Sequence, residues 1–118
     1  MREKIKMKVT KKMGRGMFAT QSIKKGEYIH YAEIVTLKWS EMKNIKTLNQ
    51  YTFYYDQKYV ALALGYGSLF NHSFNNNLKT WMVEKGNRWV IAFQATRPIK
   101  KGEQLFIYYG DDITDWLK

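Results

Sequence analysis

Short runs that alternate apolar and polar residues dominate the chain, and no long helical period interrupts them. Residues 6–10, 33–37, 51–55, 59–62, 78–83 and 88–94 carry β-branched or aromatic side chains in such runs, which predicts strands. The last two runs flank Glu84-Lys85-Gly86-Asn87, which predicts a hairpin turn. The polar stretch 40–48 predicts a short helix with Ser40 as its N-cap, and 111–117 a final helical turn.

One segment occurs twice. Ala19-Thr20-Gln21-Ser22-Ile23-Lys24-Lys25-Gly26-Glu27 returns as Ala95-Thr96-Arg97-Pro98-Ile99-Lys100-Lys101-Gly102-Glu103, identical at seven of nine positions. Each copy sets a Lys-Gly turn before an alternating run, 28–31 in the first case and 104–108 in the second. Two such units bracketing the chain predict a mainly β domain; a solenoid would need more closely spaced repeats.

Composition narrows the picture. The chain has 118 residues, the size of one domain, and at 45% hydrophobic and 16% aromatic it can bury a core. Its single proline leaves no Pro-rich linker. The lack of cysteine removes disulfides and cysteine-based zinc sites, and two histidines argue against a histidine-rich metal centre, so no metal is expected. No apolar run has signal-peptide or membrane-spanning length, so the expectation is a soluble intracellular protein with no membrane partner. A net charge of +10, carried by lysines spread along the chain, favours acidic partners, nucleic acid among them.

Three segments carry candidate chemistry. In Met13-Gly14-Arg15-Gly16-Met17-Phe18-Ala19 two closely spaced glycines allow a turn or a close backbone approach to a ligand, without the spacing of a dinucleotide loop. In the second, Gly65-Tyr66-Gly67-Ser68-Leu69-Phe70 leads into Asn71-His72-Ser73 and the amides of Asn75, Asn76 and Asn77, groups suited to holding a polar ligand. The third runs from Gly102-Glu103 to Tyr108-Tyr109-Gly110-Asp111-Asp112, an alternating run that ends in two tyrosines and a glycine. Each is ambiguous alone.

In their order and combination the three resemble the SET-domain family of lysine methyltransferases, and small stand-alone viral and bacterial SET proteins most closely. The resemblance rests on Gly14 through Ala19, on Gly65 through Ser73, and on Glu103 through Gly110. It implies that residues 1–118 form a single SET domain without cysteine-rich flanking domains, built of small curved β-sheets with a C-terminal pseudoknot and short helices. It implies S-adenosylmethionine as cofactor. Arg15, Gly16 and Met17 would offer backbone groups to its methionine part, Asn71 would bind its amino end, and His72 would meet the adenine through its backbone. Tyr109 would be the catalytic phenol and a cofactor contact, its hydroxyl beside the methyl and the amine, Tyr51 a second aromatic of the lysine channel or a core strand residue, and Trp116 a cover for the adenine, a wall of the lysine channel or a packing residue. Asn76 stands where the family often has proline. Ile107 occupies the position two before Tyr109 that bears on how many methyl groups are added, so the number stays open.

The substrate the resemblance implies is a lysine-containing protein, a histone tail in the first instance, with nuclear or host-nuclear residence. Asp111, Asp112 and Asp115 could attract a basic tail, while the positive remainder could touch nucleosomal DNA. A homodimer is expected because flanking domains that complete a peptide groove are missing. Two other readings stay open: a non-catalytic protein-interaction module on the same fold, and a basic β domain stacking nucleic-acid bases on Tyr54, Tyr55 and Trp81.

Overall fold

The computed structural model describes residues 4–45 and 51–108. Among these described residues nine strands follow in order: β1 (Ile5–Thr10), β2 (Gly14–Ala19), β3 (Tyr28–Lys38), β4 (Thr52–Tyr54), β5 (Tyr59–Ala63), β6 (Asn71–His72), β7 (Leu78–Lys85), β8 (Arg88–Ala95) and β9 (Gln104–Ile107). They form a four-stranded sheet, β1-β2-β9-β6, and a five-stranded sheet, β4-β5-β3-β8-β7. A single helical turn, α1 (Trp39–Met42), follows β3, and a 3-10 turn at Gly65–Ser68 follows β5.

The alternating runs became strands, with instructive departures. The glycine segment 13–19 is strand β2 rather than only a turn, because β1 and β9 pair with it from either side. The expected strands at 28–31 and 33–37 are one eleven-residue strand with a register irregularity between Tyr28 and His30. The helix is shorter than expected over its described part, and Ser40 lies inside it; Lys38 occupies the N-cap without a side-chain cap bond. The expected turn at 111–117 lies outside the described residues.

The two copies of the repeat face one another around a local pseudo-twofold axis. Ile23 N–H donates to the Ile99 carbonyl and Ile99 N–H donates back to Ile23, both at 2.8 Å. Ala19 N–H donates to Glu103 as Ala95 N–H donates to Glu27, both at 2.9 Å, and Gly26 N–H donates to Ala95 as Gly102 N–H donates to Ala19, both at 2.8 Å. The matching turn glycines have φ 87° and 91°, angles that a side chain would strain. Equal sequences thus satisfy each other's backbone groups where the two sheets meet.

The core lies between the sheets. Met17, Leu105 and Ile107 from the smaller sheet join Ala61, Ile91 and Phe93 from the larger one and Phe70 from the connecting segment. Phe70 and Phe93 stack at 4.5 Å between centroids, an arrangement that adds about 0.5–1.5 kcal/mol to their burial. On the outer face of the larger sheet, Tyr31 and Trp81 flank Ala92 in register and Tyr28 stacks with both. Lys79 and Lys85 lie over Trp81 and Tyr31, and Ala92 is fully buried.

Candidate functional site

Strand β9 organises the site. It lies between β2, its antiparallel neighbour, and β6, which it pairs in parallel with Asn71 opposite Phe106 and His72 opposite Ile107. Parallel neighbours need a long connection, and here it holds the whole of β7, β8 and the second repeat. The third motif is thereby drawn alongside the second, and Ser73 N–H extends the pairing by donating to the Ile107 carbonyl at 3.0 Å.

A buried asparagine holds β9 in place. Asn77, 1% exposed, donates from Nδ2 to the Gln104 carbonyl at 2.9 Å and accepts from Phe106 N–H at Oδ1 at 2.8 Å. Its own carbonyl receives the Thr96 N–H at 2.9 Å. The side chain therefore acts as a short strand segment for β9, a role that nothing in the polar run 75–77 singled out.

The first motif meets the second across a cleft. Asn71 Nδ2 donates to the Arg15 carbonyl at 3.0 Å. A Cβ on Gly16 would stand 2.9 Å from Asn71 Nδ2 and 2.5 Å from Gln104 Nε2, so only glycine lets these amides approach the backbone. Gln104 Nε2 is buried with no acceptor among the described residues. The cleft, about 670 Å³, is lined by Met13, Gly14 and Arg15 on one side, by Leu62 through Gly65 and Ser68 through Asn71 on another, and by Tyr51. Its lining contains no carboxylate and no histidine among the described residues.

The 3-10 turn that forms one wall is held by close packing. A Cβ on Gly67 would meet the Cβ atoms of Ala32 and Ala63 at 2.6 and 2.7 Å, and the Ser68 hydroxyl donates to the Ala63 carbonyl. The small residues along β3 and β5 thus set how closely the wall sits on the larger sheet.

Of the expected site residues, Arg15, Asn71 and Tyr51 line this cleft. Gly16 is buried behind it, and the Met17 side chain is wholly in the core, leaving only main chain toward a ligand. His72 sits beside the cleft with its ring 4.9 Å from Phe74 and 5.3 Å from Tyr108. Desolvation lowers its pKa below the usual 6.5, which favours the neutral ring. Tyr109, Trp116 and the three aspartates at 111, 112 and 115 lie outside the described residues. The aromatic trio of the base-stacking reading is not a single surface: Tyr54 is on β4 and Trp81 on β7, opposite edges of the larger sheet.

The SET-domain sequence pattern matches residues 14–110. A histone-lysine N-methyltransferase described as H3 lysine-37 specific, from Schizosaccharomyces pombe, is 31% identical over 95% of this chain and 77% of its own length. The N-lysine methyltransferase KMT5A-A of Danio rerio is 30% identical over 89% of this chain, which corresponds to 36% of that larger protein. A crystal structure of a Plasmodium falciparum protein described as a histone methyltransferase superposes with a TM-score of 0.79 at 30% identity, covering 91% of this chain and 97% of the other.

Proposed function

The chain belongs to the SET-domain family of protein-lysine methyltransferases, and from that premise we propose that it transfers a methyl group from S-adenosylmethionine to a lysine of a histone. The observation that carries this reading is the convergence at one cleft of the first two motifs, joined by the Asn71–Arg15 bond, with β9 of the third paired to β6. The histone substrate is supported by the relatives named for that activity.

The residues present fit the cofactor. Main chain of Gly14 and Arg15 lines the cleft, Asn71 supplies an amide at its wall, and Gln104, whose amide packs against Gly16, keeps a buried N–H donor unused among the described residues. Arg15, Gly16 and Met17 would hold the cofactor by main-chain groups, Asn71 by its side chain and His72 by its backbone. When bound, S-adenosylmethionine supplies an electrophilic methyl on a positively charged sulfur.

The chain's own task is to present a neutral amine to that methyl. A free lysine has a pKa of about 10.4, and a cleft walled by Leu62, Ala63, Leu64, Leu69 and Phe70 disfavours its ammonium form. No carboxylate lines the described cleft to restabilise the charge. Tyr51 would flank the lysine stem at the mouth, and the Tyr109 hydroxyl would orient the amine. Alignment of this kind can supply about 7–11 kcal/mol of the barrier.

Calorimetric titration of the protein with S-adenosylmethionine, followed by transfer of labelled methyl groups to a histone mixture, tests the reading. Saturable binding that Asn71→Ala weakens about tenfold or more, with label on histone lysine, is expected. No binding, or binding that Asn71→Ala leaves unchanged, would overturn the site assignment.

A further inference from the structure

The β1–β2 hairpin carries an excess of positive charge that the methyl-transfer site does not use. The first fifteen residues contain Arg2, Lys4, Lys6, Lys8, Lys11, Lys12 and Arg15 against one acid, Glu3. Lys4 is paired with Glu27. Lys6, Lys8, Lys11, Lys12 and Arg15 are exposed, and none has a carboxylate partner among the described residues.

Geometry sets these charges on a two-stranded ribbon. Among the described residues, β1 pairs with β2 from Ile5–Ala19 to Thr10–Gly14, while β9 pairs with β2 in register only at Met17 and Phe18. The turn end of the hairpin, from Val9 to Gly14, therefore carries no third strand among the described residues, and Val9 is 77% and Met13 48% exposed. Its tip is closed by Met13 N–H donating to Thr10 Oγ1 at 2.9 Å. Met13, Gly14 and Arg15 also line the cleft, so whatever holds the ribbon brings the cleft with it.

We propose that this ribbon docks on the phosphate backbone of double-stranded DNA. Lysines dominate the exposed charges, and lysine neutralises phosphate as a point charge without reading bases. A two-stranded β-ribbon fits the major groove of B-form DNA, about 12 Å wide, whereas the major groove of A-form RNA is too narrow for it. From Val9 to Arg15 the ribbon carries no aromatic ring, which a single strand would need for stacking. Binding is therefore sequence-independent and falls steeply with salt.

The test is fluorescence anisotropy of the whole chain with a labelled duplex of about 30 base pairs across a salt series. Each phosphate contact contributes about 0.9 to the slope of log affinity against log salt. The triple variant Lys6→Gln/Lys11→Gln/Lys12→Gln should flatten that slope by up to about 2.7, so that between 50 and 200 mM salt it loses about 40-fold less affinity than the parent. A control, Lys24→Gln/Lys100→Gln/Lys101→Gln, removes the same charge from the repeat turns at the other end of β2 and should leave the slope nearly unchanged. Equal effects from both triples would reduce the interaction to net charge and overturn the proposal, as would an unchanged slope in the ribbon variant. Poly-glutamate competing as well as DNA at equal charge would assign the ribbon to acidic polypeptides instead, also against the proposal. Thermal melts establish folding, and the single substitutions Lys11→Gln and Lys12→Gln at the tip replace the triple if it does not fold. Cofactor titration of the ribbon variant should match the parent, so failure of DNA binding and failure of the methyltransferase reading are distinguishable.

Discussion

Replacing Asn77 by alanine should loosen the strand that leads to Tyr109. The amide makes two bonds to β9, one to the Gln104 carbonyl and one from the Phe106 N–H, and it is 1% exposed. Alanine leaves both main-chain groups without a partner, at about 1–3 kcal/mol for each buried orphan. The sum, about 2–6 kcal/mol, is a large share of the 5–15 kcal/mol by which domains are held folded. In a chain of this size it corresponds to a fall in Tm of about 8–24 °C. Asn77→Asp sharpens the case. The carboxylate still accepts from Phe106 but turns a second acceptor toward the Gln104 carbonyl, and burial disfavours its charge. Its folded pKa is therefore raised above the unfolded value. The native state binds the extra proton, so the Asp variant gains stability relative to alanine as pH falls through that raised pKa and loses it as pH rises. Thermal melts of the parent and both variants between pH 4 and 8 check this. A Tm within about 2 °C of the parent for both variants, or an Asp variant that tracks alanine at every pH, would refute the account.

Gly67→Ala should destabilise the cleft wall by about 1–3 kcal/mol, since its Cβ meets two Cβ atoms that cannot swing aside; urea unfolding reads this directly. Tyr109→Phe should fold and bind cofactor normally while losing most turnover, as followed by single-turnover methyl transfer. Lys4 and the Lys24 N–H hold the Glu27 carboxyl below its usual 4.5; this contribution is fully present above 4.5 and lost as pH falls through the lowered folded value. Glu27→Gln should accordingly reduce stability at pH 7 and converge on the parent in acid, as measured by urea titration from pH 3 to 7.

Much of the candidate site could be read in one dimension because its members sit in contiguous motifs. Gly14 through Ala19 and Gly65 through Ser73 announce themselves as strings, and the structure brings members of both to one cleft. Asn77 did not announce itself. Among three consecutive asparagines nothing local distinguishes the one whose side chain completes a strand, since its partners at 104 and 106 are set by topology.

Local sequence determined where strands form, because alternation and turn glycines act over a few residues: the hairpin of β7 and β8 and the two Lys-Gly turns needed no distant contact to be legible. It also showed that one segment occurs twice. Only the tertiary structure decided that the copies face each other and exchange backbone bonds, that a glycine-rich segment becomes β2, and that β9 enters between β2 and β6. Those outcomes depend on which backbone groups remain unsatisfied when the sheets meet, a property of the assembled chain that no short window of residues contains.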